Sequence, residues 1–203
     1  MSYPLSRILP FKLIWESCES AEVFYRRIVL RKGRMESKSH IILKILACCY
    51  FWDRNLIMEP RFRFYRYKPD LISWKKSEIP TKDELIPDLW IECKAVKVKK
   101  LIRLSQALPL STVVWIHFLQ PLSRTIKIFQ SKKKKYKLAS NIQLIGIETS
   151  NKNQISLGES IEADYLQWKI TQQVRDSIEI YIKGWSSEPI SIQFHVLSTT
   201  IKT

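Results

Sequence analysis

The stretch from Tyr67 to Lys94 constrains this chain more than any other. Its middle reads as strand, turn and strand. Val, Ile, Leu, Trp and Tyr dominate the strand positions, and the connector Ser77-Glu78-Ile79-Pro80-Thr81-Lys82-Asp83 is polar and carries a proline. Within this hairpin lie Asp70, Glu92 and Lys94, ionisable groups that a buried apolar strand pair does not tolerate without a reason. Side chains alternate along a strand, so Glu92 and Lys94 are expected on one face, roughly 7 Å apart. Folding about Thr81 sets Asp70 opposite Glu92, and Cβ atoms of such cross-strand neighbours lie roughly 4.5–5.5 Å apart. Two facing carboxylates suit one divalent cation, Mg²⁺ or Mn²⁺, with the Lys94 ammonium alongside. That combination is the equipment of metal-assisted phosphodiester hydrolysis, with Asp70, Glu92 and Lys94 as catalytic candidates. A structural ion cluster near a sheet edge accounts for the same spacing. Asp88, with the parity of Glu92 but roughly 13 Å from it along an extended chain, is too far to share its ion and reads as a strand-entry residue.

The order of these residues resembles a known signature. Pro69-Asp70, then Glu92-x-Lys94 at the end of the next apolar strand, looks like the motif of the PD-(D/E)xK nuclease superfamily. The string Leu89-Trp90-Ile91-Glu92, followed by the basic Lys99-Lys100-Leu101-Ile102-Arg103, is similar to the YaeQ family within it. Upstream, Arg31 to Arg54 looks like that family's strand, polar turn and long apolar helix. Downstream, Gln130-Ser131-Lys132 and two C-terminal strands look like its closing sheet. YaeQ-like proteins often lack the lysine of the motif, which this chain has as Lys94. The resemblance implies an α/β fold with a restriction-endonuclease-like mixed sheet flanked by helices, extended here by N-terminal and C-terminal β-hairpins. It also implies that Glu36, from the first helix, completes the metal set of Asp70 and Glu92. A glutamate in the first turn of a helix is equally explained by the helix dipole.

Charge narrows the class of partner. In 203 residues there are 34 Lys and Arg against 19 Asp and Glu, a net charge of +15, which favours a polyanion and nucleic acid, DNA or RNA, before an anionic membrane. With 45% apolar residues, one domain spanning 1–203 with a full core is expected. No run of 18 apolar residues occurs, so no membrane span is expected. Pro4, Arg7, Pro10 and Lys12 interrupt the apolar N-terminus, which does not read as a signal peptide. The four cysteines lack CxxC spacing and fit a reducing, cytoplasmic setting. Four glycines leave no P-loop or dinucleotide fingerprint.

Along the chain, Phe11 to Glu16 and Val23 to Arg31 read as an opening hairpin. Met35 to Trp52 places Ile41, Ile42, Ile45, Leu46 and Cys49 at helical spacing, with Glu36 in the first turn. Arg61 to Lys68 alternates basic and aromatic residues. This is a strand with one wet basic face, on which Arg61 and Arg63 are candidates to touch nucleic acid. Val98 to Leu108 reads as a short helix whose Lys100 and Arg103 add to that basic surface, and Ser111 to Leu119 as a buried strand in which His117 is structural. The run that includes Lys132 and Lys133 offers a sequence-independent hold on phosphates. Asn141 to Ile147 reads as a strand, Ser150 to Ser156 as a polar loop and Glu159 to Val174 as a helix. Ser177 to Lys183 and Ile190 to Leu197 form a terminal hairpin.

Three functions follow: a Mg²⁺-dependent nuclease, the same fold binding nucleic acid or a partner without turnover, and a basic assembly factor for an acidic protein or ribonucleoprotein.

Overall fold

A computed structural model describes residues 7–18, 22–33, 35–60, 67–74, 86–94, 96–119, 140–174 and 176–197. The fold is mixed α/β, and the chain gathers into two compact units, one of residues 1–49 and 148–194, the other of residues 50–147 and 195–203.

In the first unit the expected opening hairpin is present as β1 (Arg7–Ser17) and β2 (Val23–Lys32), antiparallel with Phe11 opposite Ile28. The terminal hairpin is present as β9 (Ser177–Ile182) and β10 (Ile190–Leu197). Between them lies β8 (Gln167–Val174), parallel to β1 and antiparallel to β9, so the strand order is β2-β1-β8-β9-β10. Buried and more exposed side chains alternate through the middle of these strands. Leu9, Phe11, Leu13 and Trp15 are buried with Trp168, Ile170, Ile178 and Ile180, while Lys12, Arg27 and Lys169 stand on the other face. Phe11 meets Trp168 edge to face with centroids 5.4 Å apart.

Helix α1 (Lys38–Tyr50) buries every residue from Ile41 to Cys49, all of them apolar except Lys44, so it is enclosed by its surroundings. It starts later than its hydrophobic period suggests, because Ser37 supplies the cap: its Oγ accepts from the N–H of His40. Glu36 therefore stands before the helix and not in its first turn.

The stretch expected as a helix from Glu159 to Val174 is instead the end of one helix and the start of a strand. Helix α3 (Asn151–Glu162) begins in the supposed polar loop, where Ser150 Oγ accepts from the N–H of Asn153, and buries Leu157 and Ile161. Asp164, at φ 63°, turns the chain out of the helix, and β8 follows. The alternation of Trp168 and Ile170 with Lys169 and Thr171 is a period of two, not 3.6.

The second unit holds the central hairpin. β4 (Leu71–Trp74) pairs antiparallel with β5 (Pro87–Cys93), and the two-residue β3 (Ile57–Met58) pairs with β4. Of the strand expected from Arg61 to Lys68, residues 61–66 lie outside the described residues, and Tyr67 and Lys68 are not part of a strand. β5 runs parallel to β6 (Thr112–Phe118), and β6 parallel to β7 (Ile142–Glu148), giving the order β7-β6-β5-β4-β3. Helix α2 (Val98–Ala107) makes the crossover from β5 to β6. Its Leu101 and Leu104, with Leu108 beyond, pack on Ile72, Trp90, Val113, Trp115 and Leu144. Each such leucine contributes roughly 1.5–3 kcal/mol of apolar burial. Asn141 fastens the end of α2, its Nδ2 donating to the carbonyls of Leu108 and Ser111, both at 2.8 Å. Among the described residues no helix is long and apolar enough to cross a membrane.

Candidate functional site

The hairpin register sets the site. Leu71 faces Ile91 and Ile72 faces Trp90, so Asp70 comes opposite Glu92, the pairing that a fold about Thr81 requires. The carboxylate of Asp70 is tied to β5 itself, its Oδ2 accepting from the N–H of Cys93 at 2.7 Å, while its own N–H donates to the carbonyl of Ile91.

Glu92 is almost enclosed. Its side chain lies on the face covered by α2, where Oε1 accepts from Trp90 Nε1 at 2.9 Å and Oε2 from Lys100 Nζ at 2.5 Å. Burial pushes its carboxyl above the ordinary value. Lys100 and Trp90 pull it back, and the negative charge of Asp70 raises it again. The two carboxylates therefore act on each other electrostatically. Lys100, read from the sequence as a nucleic-acid contact, is here the counter-ion of Glu92, and its Nζ also lies 5.6 Å from the ring centroid of Tyr67.

Lys94 stands just past β5, and its φ of 69° is in the left-handed region, which a lysine enters at a cost of about 1–2 kcal/mol. Strand alternation stops one residue short of it. Its backbone is clamped on both sides: its N–H donates to the carbonyl of Ile116, and its carbonyl accepts from Trp115 Nε1. On β6 the position across from Lys94 is His117, one step beyond the Cys93–Ile116 pair. Burial pushes the imidazole pKa down, a backbone hydrogen bond at Phe118 opposes this, and the nearby charge of Lys94 adds to the depression. His117 Nδ1 is buried without a hydrogen-bond partner among the described residues. In the sequence His117 reads as structural, because nothing local shows that β6 runs beside the end of β5.

Glu36 belongs to the first unit, and its oxygens are engaged there. Oε1 accepts from Lys44 Nζ at 2.6 Å and from His40 Nδ1 at 2.9 Å, and Oε2 accepts from the N–H of Gly33 at 3.0 Å. Burial alone would raise its pKa, but these hydrogen bonds and the Lys44 charge outweigh burial and bring it down to about 2. Lys44 itself is buried, with 2% of its side chain exposed.

Asp88 forms an ion pair with Arg54 Nη1 at 3.2 Å, consistent with a place at the strand entry. Arg103 is exposed on α2. Arg61, Arg63, Lys132 and Lys133 lie outside the described residues. Among the described residues no three His, Cys, Asp or Glu side chains gather into a group able to hold a metal. Two carboxylates completed by water and phosphate oxygens are a common way to hold Mg²⁺, but here Lys100 occupies Glu92 Oε2 and the N–H of Cys93 occupies Asp70 Oδ2.

No protein-family model matches the chain, and no curated protein does. Its structure is similar to the crystal structure of the YaeQ protein from Xanthomonas axonopodis pv. citri, with a TM-score of 0.70 and 16% identity over 95% of this chain and 98% of that one. It is also similar to the YaeQ protein from Pseudomonas syringae, with a TM-score of 0.68 and 12% identity over 96% and 97% of the two chains. At such identity a likeness speaks for the fold alone, and the fold this chain shares over nearly its whole length is that of the YaeQ proteins.

Proposed function

We propose that the chain is a PD-(D/E)xK-type phosphodiesterase with a restriction-endonuclease-like core, acting on DNA or RNA at the end of the β4–β5 hairpin. The observation that supports this reading is the register that sets Asp70 against Glu92, with Lys94 following on a strained, doubly clamped backbone. Strain of that kind persists where the surroundings over-determine a residue, and it gathers at functional sites. Asp70 and Glu92 would hold Mg²⁺ or Mn²⁺, which when bound polarises a phosphate oxygen and makes its water a better nucleophile. Lys94 offsets the charge that develops on the phosphate and orients the attacking water. Trp90 holds one Glu92 oxygen in place. Glu36, with its oxygens engaged by Lys44, His40 and Gly33, is not needed as a ligand in this scheme.

The test is cleavage of single-stranded and duplex DNA and RNA in Mg²⁺ and in Mn²⁺, for the wild type and for Asp70→Asn, Glu92→Gln and Lys94→Met. Metal-dependent cleavage that falls by roughly 10²- to 10⁴-fold in each variant supports the proposal. An inactive wild type on all four substrates overturns it.

One observation favours a second reading, nucleic-acid binding without turnover. The ammonium of Lys100 already fills the cation position on Glu92. If that ion pair is permanent, the wild type is inactive in Mg²⁺ and in Mn²⁺ while still retaining oligonucleotides.

A further inference from the structure

The first unit leaves one face of its sheet open. By alternation along the strands this face carries Tyr25, Arg27, Val29 and Arg31 from β2, Lys12 from β1 and Lys169 from β8. Tyr25 is 78% exposed and Val29 54%, so the face has rings and aliphatic groups as well as charge. Two of its cations stand directly opposite each other, since Lys12 pairs with Arg27 across the β1–β2 ladder. Like charges at opposed positions destabilise a sheet, and an anion laid across them removes the repulsion. Of the carboxylates on this face, Glu16 is paired with Lys169 at 2.9 Å, and Glu179 accepts from Tyr181 and Gln173.

Lys12 also lines a cavity of about 600 Å³ at the end of the same strands, together with Pro10, Tyr165, Gln167, Lys183 and Gly184. Asp164 at its edge is engaged by Arg7. The ring of Tyr165 leans on Trp185 with centroids 5.3 Å apart. Gly184, at φ 80°, makes room for that ring, because a Cβ there would meet Tyr165 Cε1 at 3.1 Å. The cavity is thus lined by the aromatic Tyr165 and by two lysines, and it adjoins the basic face through Lys12.

We propose that this face and cavity form a binding track for single-stranded nucleic acid, with phosphates on Lys12, Arg27 and Arg31, one base stacked on Tyr25 and another taken into the cavity against Tyr165 and Lys183. Cations interleaved with exposed rings hold a strand by charge and by stacking without reading its sequence. A duplex hides its base faces and gains only the charge contribution. The proposal does not rest on hydrolysis at Asp70 and Glu92.

The test is fluorescence anisotropy of labelled dT and rU oligonucleotides with the full chain in EDTA, so that the outcome is independent of any cleavage. Lys12→Glu with Arg27→Glu should weaken binding at least tenfold and make its salt dependence shallower, by about one in slope for each phosphate that the protein no longer holds. Tyr25→Ala and Tyr165→Ala should each cost roughly tenfold for the single strand and little for a duplex. Circular dichroism melting of the two tyrosine variants, compared with the wild type, separates lost stacking from lost fold. Unchanged oligonucleotide affinity in the double charge-reversal variant overturns the proposal. So does equal loss for single strand and duplex in the tyrosine variants, or light scattering that shows the face closed by a second copy of the chain.

Discussion

Lys100 Nζ lies 2.5 Å from Glu92 Oε2, with 27% of the lysine side chain and 5% of the glutamate side chain open to solvent. The pair is asymmetric. The carboxylate is enclosed, whereas the ammonium reaches it from the rim of α2 and can withdraw to water. A divalent cation at Glu92, as proposed, would have to displace this ammonium.

Replacement of Lys100 by Met should therefore expose the competition. Glu92 loses the hydrogen bond and the charge that hold its pKa down, while burial and Asp70 continue to push it up. Titration of the Glu92 side-chain carbon by NMR should show a higher midpoint than in the wild type. Above that midpoint Mn²⁺ should bind more tightly, roughly tenfold, as followed by water-proton relaxation. Unchanged Mn²⁺ affinity would mean that the lysine does not guard the carboxylate.

Glu36 should govern acid stability. Its pKa is about 2 in the folded chain against an ordinary 4.5, so it stabilises the fold above pH 4.5 and that contribution is lost as the pH falls from 4.5 towards 2. The shift corresponds to about 3 kcal/mol. Glu36→Gln should be less stable by about that amount at neutral pH, since Lys44 then loses its counter-charge in the interior. Its urea midpoint should also change less between pH 5 and pH 2 than that of the wild type.

Much of this arrangement can be read from the chain, and what cannot has physical reasons. The hairpin register is legible because Asp70 and Glu92 are equidistant from Thr81 and the apolar runs beside them allow no slip without turning a buried face outwards. The limits of α1 are less so, because hydrophobic period marks what is buried and not where the hydrogen-bonded turns begin, which Ser37 decides. The stretch from Glu159 to Val174 mixes the last turn of α3 with a strand whose partners, β1 and β9, are remote or yet to come in the sequence. Tertiary pairing overrides local composition there. The ion pair of Glu92 with Lys100, eight residues on, exists only because the crossover lays α2 on the face of β5 that bears Glu92. His117 reaches Lys94 through the parallel pairing of β5 with β6, which leaves no trace in the local sequence.

The thiols should fall into two groups. Cys18 is exposed, whereas Cys48, Cys49 and Cys93 are buried, and burial pushes the Cys48 thiol up to about 12. Reaction needs a thiolate within reach of solvent. Ellman's reagent at pH 8 should thus titrate one thiol per native chain rapidly and four after unfolding, and Cys18→Ser should abolish the fast phase.

Lys94 separates the demands of folding from those of chemistry. Its backbone is left-handed at φ 69°, a conformation that glycine adopts without the Cβ clash. Lys94→Gly removes that strain but adds chain entropy to the unfolded state, so it should be neutral or more stable by roughly 0.5–1 kcal/mol. Lys94→Met keeps the strain and loses only the ammonium. If hydrolysis depends on the amine, both variants should lose cleavage to a similar degree, by roughly 10²- to 10⁴-fold, although they differ in thermal midpoint. A Gly variant that is clearly less stable than the Met variant would mean that packing of the lysine stem, and not its charge, holds the end of β5. A Met variant that keeps full cleavage would remove Lys94 from the reaction and leave Asp70 and Glu92 to act without it.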